Sequence, residues 1–309
     1  MEAIAKPEPT KQDPTESRWR LKQGDEIAPG LSALKLLGGG LRYEAYLAWD
    51  ERLQYVVVVK VVRPELVDDR HTVGGLAEEV AMLERLNHPV LLRSFSADLD
   101  GPRPHVVLEH LEGPRLSTLL RKYGPLPPEQ LLPLGLQLAA AAHYMAGEGV
   151  VHLDIKPSNI IMGAPARLID LSVAETTEDA ARLRSAVGTD SYMSPEQALK
   201  GRGATIGPAA DVWGIGLTLY HAAAGERPFE KGDRESDDPE ARWPQIAAPP
   251  KPMPDSIPAA VAEPIMATLA HDPADRPTPL ELSEMLEPAL AALPKPWVSK
   301  LKPRRAGSN

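Results

Sequence analysis

Residues 151–159 read Val-His-Leu-Asp-Ile-Lys-Pro-Ser-Asn. An Asp, a Lys two residues later and an Asn five residues later stand behind a His, inside sequence that is otherwise apolar. The rest of the chain is organised around this compact polar loop. The 309 residues suffice for one large domain or two lobes with a sizeable core. A net charge of -9 argues against a general nucleic-acid or anionic-membrane surface. The absence of cysteine excludes a disulfide framework, a thiolate metal site and a cysteine nucleophile. There is no run of about 18 uncharged apolar residues of the kind that crosses a bilayer. Residues 1–20 lack the apolar segment of a signal peptide, so a cytoplasmic protein is expected.

In chain order, residues 1–24 carry scattered charge and three prolines without apolar periodicity, which predicts a disordered tail. Leu31–Leu37 and Tyr43–Trp49 read as strands joined by a turn at Gly38-Gly39-Gly40. Tyr55–Val62 is a β-branched strand carrying one charge, Lys60. Leu76, Val80 and Leu83 have helical spacing, with a stop at Asn87-His88-Pro89. Strands are expected near 91–97 and 105–110. A long helix is expected over 128–148, with Pro128 suited to its first turn and Pro133 a candidate kink. A short strand follows over Ala166–Ile169. Residues 173–193 are polar, and 229–258 are acidic and then Pro-rich, with little support for a helix. Helices are expected over 261–270 and 278–292, and the basic end from about 293 reads as flexible.

The loop at 151–159 resembles the protein-kinase catalytic loop, H-R-D-x-x-x-x-N, with Leu153 in place of the Arg. The other parts of that family's pattern stand in order. Gly38 and Gly40 resemble the Gly-rich loop that covers the ATP phosphates. Its third Gly is replaced here by Tyr43, which stiffens the loop, and its Val by Ala45. Lys60 falls at the position of the family's phosphate-binding lysine, and Glu79 at that of its helix partner. Leu108-Glu109-His110-Leu111 resembles the hinge, whose backbone at Glu109 and Leu111 would meet adenine, with Leu108 guarding the pocket behind. Asp170-Leu171-Ser172 resembles D-F-G and keeps the metal-binding Asp. Ser194-Pro195-Glu196 resembles A-P-E, Asp211 the buried Asp that ties down the catalytic loop, and Arg276 the late Arg that pairs with the A-P-E Glu. Glu196 and Arg276 would be buried charges, tolerable only as a pair.

The resemblance, over about residues 31–287, is to eukaryotic-like serine/threonine protein kinases of bacterial type. It implies an α+β bilobal fold: an antiparallel β lobe with one helix over 25–111, and a mainly helical lobe over 112–292. It implies ATP and Mg²⁺ as cofactors and protein Ser/Thr hydroxyls as acceptors, with a regulatory protein partner or a homodimer left open. Lys60, oriented by Glu79, would hold the α/β-phosphates. Asn159 and Asp170 would bind Mg²⁺ through oxygen. Asp154 would accept the hydroxyl proton, and Lys156 would contact the transferring phosphoryl group. Ala45, Val58 and Ile161 would enclose adenine, with Ala45 and Val58 reversing the family's usual Val and Ala. The alternative is a pseudokinase scaffold, suggested by Tyr43, Leu153 and Asp-Leu-Ser. A small-molecule phosphotransferase is disfavoured, because such relatives generally lack the Ser194-Pro195-Glu196 and Arg276 pieces. The polar residues 173–193 would form the activation loop; Leu153 cannot grip a phosphate on it and would instead make an apolar contact beneath it.

Overall fold

The computed structural model describes residues 18–199 and 205–294. The tails expected over 1–17 and from 295 onward lie outside the described residues. The first lobe is a six-stranded antiparallel sheet in the order β1-β2-β3-β4-β6-β5. Its strands are β1 (Glu26–Ala28), β2 (Leu31–Gly39), β3 (Tyr43–Asp50), β4 (Tyr55–Val62), β5 (Ser94–Asp98) and β6 (His105–Glu109), with helix α1 (Arg70–Arg85) between β4 and β5. Strand periodicity divides β4 cleanly. Val57, Val59 and Val61 enter a core on one face of the sheet, with Ile27, Ala33, Tyr46 and Ala48. Val58 and Val62 face the larger core that runs into the second lobe. Lys60 shares that second face.

Three departures from the sequence reading have simple causes. Residues 18–24 are not a free tail: Trp19 packs on the first-lobe core, its indole N–H donates to the Val62 carbonyl at 2.7 Å, and the Arg103 guanidinium lies over its ring. One large aromatic with a polar tip is enough to dock a short polar segment. Helix α1 begins at Arg70 rather than Leu76, because Asp69 caps it by accepting from Thr72 N–H at 3.0 Å. The strand expected from Leu91 starts at Ser94, since Leu91 bridges instead to Leu168 of the second lobe.

The second lobe holds α2 (Leu116–Tyr123), a short helix not expected from the sequence, and α3 (Pro128–Gly147). Then come β7 (Val150–Val151), β8 (Ile160–Ile161), β9 (Arg167–Leu168) and β10 (Glu175–Thr176), which form two small ribbons, β10 with β7 and β8 with β9. Helices α4 (Thr177–Arg182), α5 (Pro195–Ala198), α6 (Pro208–Ala224), α7 (Pro239–Arg242), α8 (Ala259–Ala267) and α9 (Pro279–Ala291) complete the described chain. Residues 229–258 form only α7 and one 3₁₀ turn, Pro244–Ile246, in keeping with their acidic and Pro-rich composition. Helix α3 packs on α6 and α9. Helix α6 is buried almost all round, with Trp213, Ile215, Leu217, Leu219 and Tyr220 in the core.

Candidate active site

Two elements bring the first charges together. Glu79 is buried on the inner face of α1, while Glu78 and Glu84 are exposed, as helical spacing requires. Lys60 Nζ meets Glu79 Oε2 at 2.6 Å, lies 3.8 Å from Asp170 Oδ1 and stands 4.8 Å from the centre of the Tyr43 ring. Burial alone would lower the Lys60 pKa. The Glu79 and Asp170 carboxylates outweigh it and hold that pKa above the usual lysine range, so Lys60 is charged. Asp170 behaves in the mirror sense. Burial pushes it up, but Lys60, the Ser172 hydroxyl, His152 and Lys156 hold its carboxyl below the usual range.

The polar loop supplies the second group. Asp154 Oδ2 accepts from Lys156 Nζ at 2.6 Å and from Asn159 Nδ2 at 3.1 Å. Lys156 Nζ also reaches Thr189 Oγ1 at 2.5 Å. The Ile169 N–H donates to the Asn159 carbonyl at 2.9 Å, which sets Asp170 beside Asn159. Asn159 uses its amide nitrogen on Asp154, so its side-chain oxygen is the atom suited to a cation. Buried Asp154 Oδ1 and Asp170 Oδ1 have no hydrogen-bond partner among the described residues. Buried carboxylate oxygens normally find one. Two oxygen donors, one of them an orphaned carboxylate, fit Mg²⁺, which is commonly held by one or two carboxylates together with substrate phosphates and water.

This loop is held under strain. Leu153 has φ 66 and Asp170 φ 72, a region that costs non-glycine residues about 1–2 kcal/mol. Leu153 is over-determined: its N–H donates to Asp211 Oδ1 at 2.8 Å and its carbonyl accepts from Gln197 Nε2 at 2.9 Å. Asp211 also accepts from the His152 N–H at 2.7 Å. Gly188, at φ 112, passes so close that a Cβ there would lie 2.7 Å from the Leu153 oxygen. Behind these residues Arg276 donates bidentately to Glu196, at 2.7 and 2.9 Å.

The remaining sequence candidates are less uniform. Gly38 and Gly40 have open space around them. Gly38 has φ 155, a conformation that side chains rarely adopt, and at Gly39 a Cβ would lie 2.7 Å from the Tyr43 carbonyl oxygen, so the hairpin needs both. Ala45 pairs with Lys60 and Leu47 with Val58, so Ala45 and Val58 are diagonal neighbours on one face. Leu108 is buried at the end of β6, while Leu111 and Ile161 are half-buried. The Glu109 side chain has a role that spacing did not suggest: it binds Arg167 of β9 bidentately, at 2.9 and 2.5 Å. Arg167 also donates to the Leu91 carbonyl at 2.6 Å, tying the strand that leads to Asp170 to the junction of the lobes.

The family model described as protein kinase domain matches residues 31–291. The chain belongs to the protein kinase family. Serine/threonine-protein kinase PknB of Mycobacterium leprae is 32% identical over 203 residues, 63% of this chain and 32% of that protein. The kinase pkn2 of Myxococcus xanthus is 34% identical over 211 residues, 64% of this chain and 24% of that protein. The kinase pkn3 of the same organism is 31% identical over 274 residues, 84% of this chain and 49% of that protein. These matches therefore span less than half the length of each relative.

In this chain the segment after Asp170 is ordered by apolar contact and by neutral and carboxylate hydrogen bonds. Leu153 packs with Val151, Ala180, Ile206 and Ala210, and Leu183 and Val187 of the segment close over them. Asp190 accepts from Arg234 Nε and Trp243 Nε1, both at 3.1 Å. Gln245 donates to the Asp190 and Met193 carbonyls at 2.7 and 3.2 Å. The sequence reading found neither Asp190 nor its partners, which lie 44 to 55 positions away.

Proposed function

We propose that this kinase domain transfers the γ-phosphoryl group of Mg²⁺-ATP to Ser and Thr hydroxyls of proteins. The observation that carries the reading is the meeting of Lys60, Glu79 and Asp170 beside the Asp154–Lys156–Asn159 loop. Phosphoryl transfer asks for positioning and charge neutralisation more than for covalent help. Bound Mg²⁺ would neutralise charge on the β/γ-phosphate oxygens, held by Asp170 and Asn159. Lys60, kept charged and aimed by Glu79, orients the α/β-phosphates. Asp154 presents its orphaned Oδ1 to the incoming hydroxyl and takes its proton. Lys156, shared between Asp154 and Thr189, stands where charge develops on the transferring group. Ala45, Val58, Leu108 and Ile161 line the adenine site, and the backbone at Glu109 and Leu111 meets the base edge. The scaffold alternative draws no support from these residues, since each proton-accepting and metal-binding group of the family pattern is in place.

Incubation with Mg²⁺-ATP and a generic basic protein, read as phosphoserine and phosphothreonine, tests the reading. No transfer above an Asp154→Asn control defeats it. No helix among the described residues is long and apolar enough to cross a membrane. A cytoplasmic setting, and a regulatory partner or second copy acting on the domain, belong to the same proposal.

Two expected results follow. The reversed residues Ala45 and Val58 conserve pocket volume together, so they are coupled. Ala45→Val with Val58→Ala binds ATP more tightly than the worse single variant. Strictly additive affinities in that cycle would show two unrelated positions. The second concerns control. The segment from Ala180 to Met193 is held by Leu153, Gln197, Arg234, Trp243 and Gln245, none of which needs a phosphate. Phosphatase treatment, with loss of loop phosphate confirmed by mass spectrometry, leaves initial rates on a peptide within threefold. A fall of about tenfold, equivalent to about 1.4 kcal/mol, reversed on rephosphorylation, would mean that another basic group grips the loop.

A further inference from the structure

Helix α1 carries Glu79, and its two halves are unequal. The C-terminal half buries Glu79, Val80 and Leu83, while the N-terminal half buries Thr72 and, near its end, Leu76. Just beyond it, the Asn87 N–H donates to Tyr144 Oη at 2.9 Å, and the His88 ring stacks on Tyr144 at 5.2 Å. Arg85 donates to the Glu148 carbonyl. The N-terminal half contains Gly74 and Gly75, and each interior glycine weakens a helix by about 1 kcal/mol relative to alanine. This half is intrinsically weak and distant from the anchor at Tyr144.

Tyr43 meets it there. Its hydroxyl donates to the Thr72 carbonyl at 2.8 Å. Thr72 belongs to the one turn that Asp69 makes rigid, accepting from both the Thr72 N–H and its hydroxyl at 3.0 and 2.6 Å. Gly75 leaves the room: a Cβ there would approach Tyr43 Oη to 3.4 Å. The same ring lies against Lys60 Nζ. Tyr43 is the first residue of β3, directly after the Gly-rich turn. One side chain thus touches the hairpin, the phosphate-binding lysine and the helix that carries the lysine's partner.

We infer that Tyr43 is a positioning residue, a latch that holds the N-terminal half of α1 on the Gly-rich hairpin and so keeps Lys60 and Glu79 paired. The inference rests on the roles proposed above for those two residues. A glycine or serine at this position would leave the helix end unheld. The departure from the family's Gly-rich pattern is then a functional part of this chain.

The test separates the hydroxyl from the ring. Tyr43→Phe keeps the ring on Lys60 and removes the bond to Thr72, whereas Tyr43→Leu removes both. The exposed Tyr123→Phe serves as control. Losing one such bond changes an equilibrium by about fivefold. In Tyr43→Phe, amide exchange over residues 70–77 accelerates about fivefold or more, and kcat falls by a smaller factor set by the closed population that is lost. KM for ATP stays within twofold, and exchange in α3 is unchanged. Tyr43→Leu also raises KM for ATP. Gly74→Ala, at a position with no atom within 4 Å of the added Cβ, restores exchange and kcat in the Tyr43→Phe background by strengthening the same half-helix. Unchanged exchange over 70–77 in Tyr43→Phe overturns the latch. Faster exchange with unchanged kcat, or a kcat loss that Gly74→Ala does not relieve, overturns the positioning role. A wild-type protein without transfer activity would defeat the proposed function, and the exchange comparison would still decide the latch.

Discussion

Asp154→Asn lowers phosphoryl transfer by about 10²–10⁴-fold, the contribution of a positioned general base, while ATP affinity stays within about twofold. The substitution preserves shape and removes one proton acceptor. Asp154 Oδ2 is occupied by Lys156 and Asn159, so Oδ1, buried and unpartnered, is the oxygen that meets the acceptor hydroxyl. An amide there cannot take a proton, and it no longer balances the Lys156 charge. Lys60, Glu79 and Asp170, to which the proposed function gives the nucleotide end, are untouched by the change. The loop stays in place because its anchors are backbone groups, the His152 and Leu153 N–H bound to Asp211 and the Leu153 carbonyl bound to Gln197. Single-turnover rates, with nucleotide titration and the thermal midpoint measured on the same preparation, check it. A variant that keeps more than a tenth of the wild-type rate would remove Asp154 from the proton-accepting role.

Arg276→Met destabilises the protein by about 3–5 kcal/mol, a large part of the roughly 5–15 kcal/mol that holds a domain folded. Arg276 makes more than an ion pair. It donates to both oxygens of Glu196, to the carbonyls of Ala270, Ala209 and His271, and lies 4.9 Å from the Trp213 ring centre. The pair's side chains are 0% and 2% exposed, so removal of the guanidinium strands a carboxylate where water cannot reach it. Adding Glu196→Gln relieves the stranded charge, so the double variant loses less than the sum of the singles. Urea midpoints at constant slope measure both effects. A loss below about 1 kcal/mol in the single variant would show that the site admits water. Because Glu196 and Gln197 are neighbours in α5, Arg276→Met also loosens the Gln197 bond to Leu153 and lowers kcat.

Much of this site was legible along the chain. Asp154, Lys156 and Asn159 lie within six residues, and a loop that short brings them together whatever surrounds it. Lys60 and Glu79 were singled out by their places in the family's pattern, Glu79 by counting back from Asn87-His88-Pro89; spacing alone would leave each a solvated charge. The bilobal kinase fold followed from the order of these pieces with Asp170, Glu196, Asp211 and Arg276. The tail expected through residue 24 was misread because Trp19 is a single anchor, and one residue has no periodicity.

Spacing and order carried the family resemblance, which implied two lobes and named the charged residues of the 151–159 loop. Only the tertiary structure decided who meets whom across long separations. Glu109 and Arg167 are 58 positions apart, Asp190 and Gln245 55, and Tyr43 and Thr72 29. Such pairs leave no pattern in the chain, because a hydrogen bond is good only within a few tenths of an ångström and that distance is set by how whole strands and helices dock. Leu153 shows both halves of this. Its sequence position offers no basic group to a loop phosphate, and its packing against Ala180, Leu183 and Val187 acts with the Asp190 bonds to Arg234 and Trp243 in holding the segment.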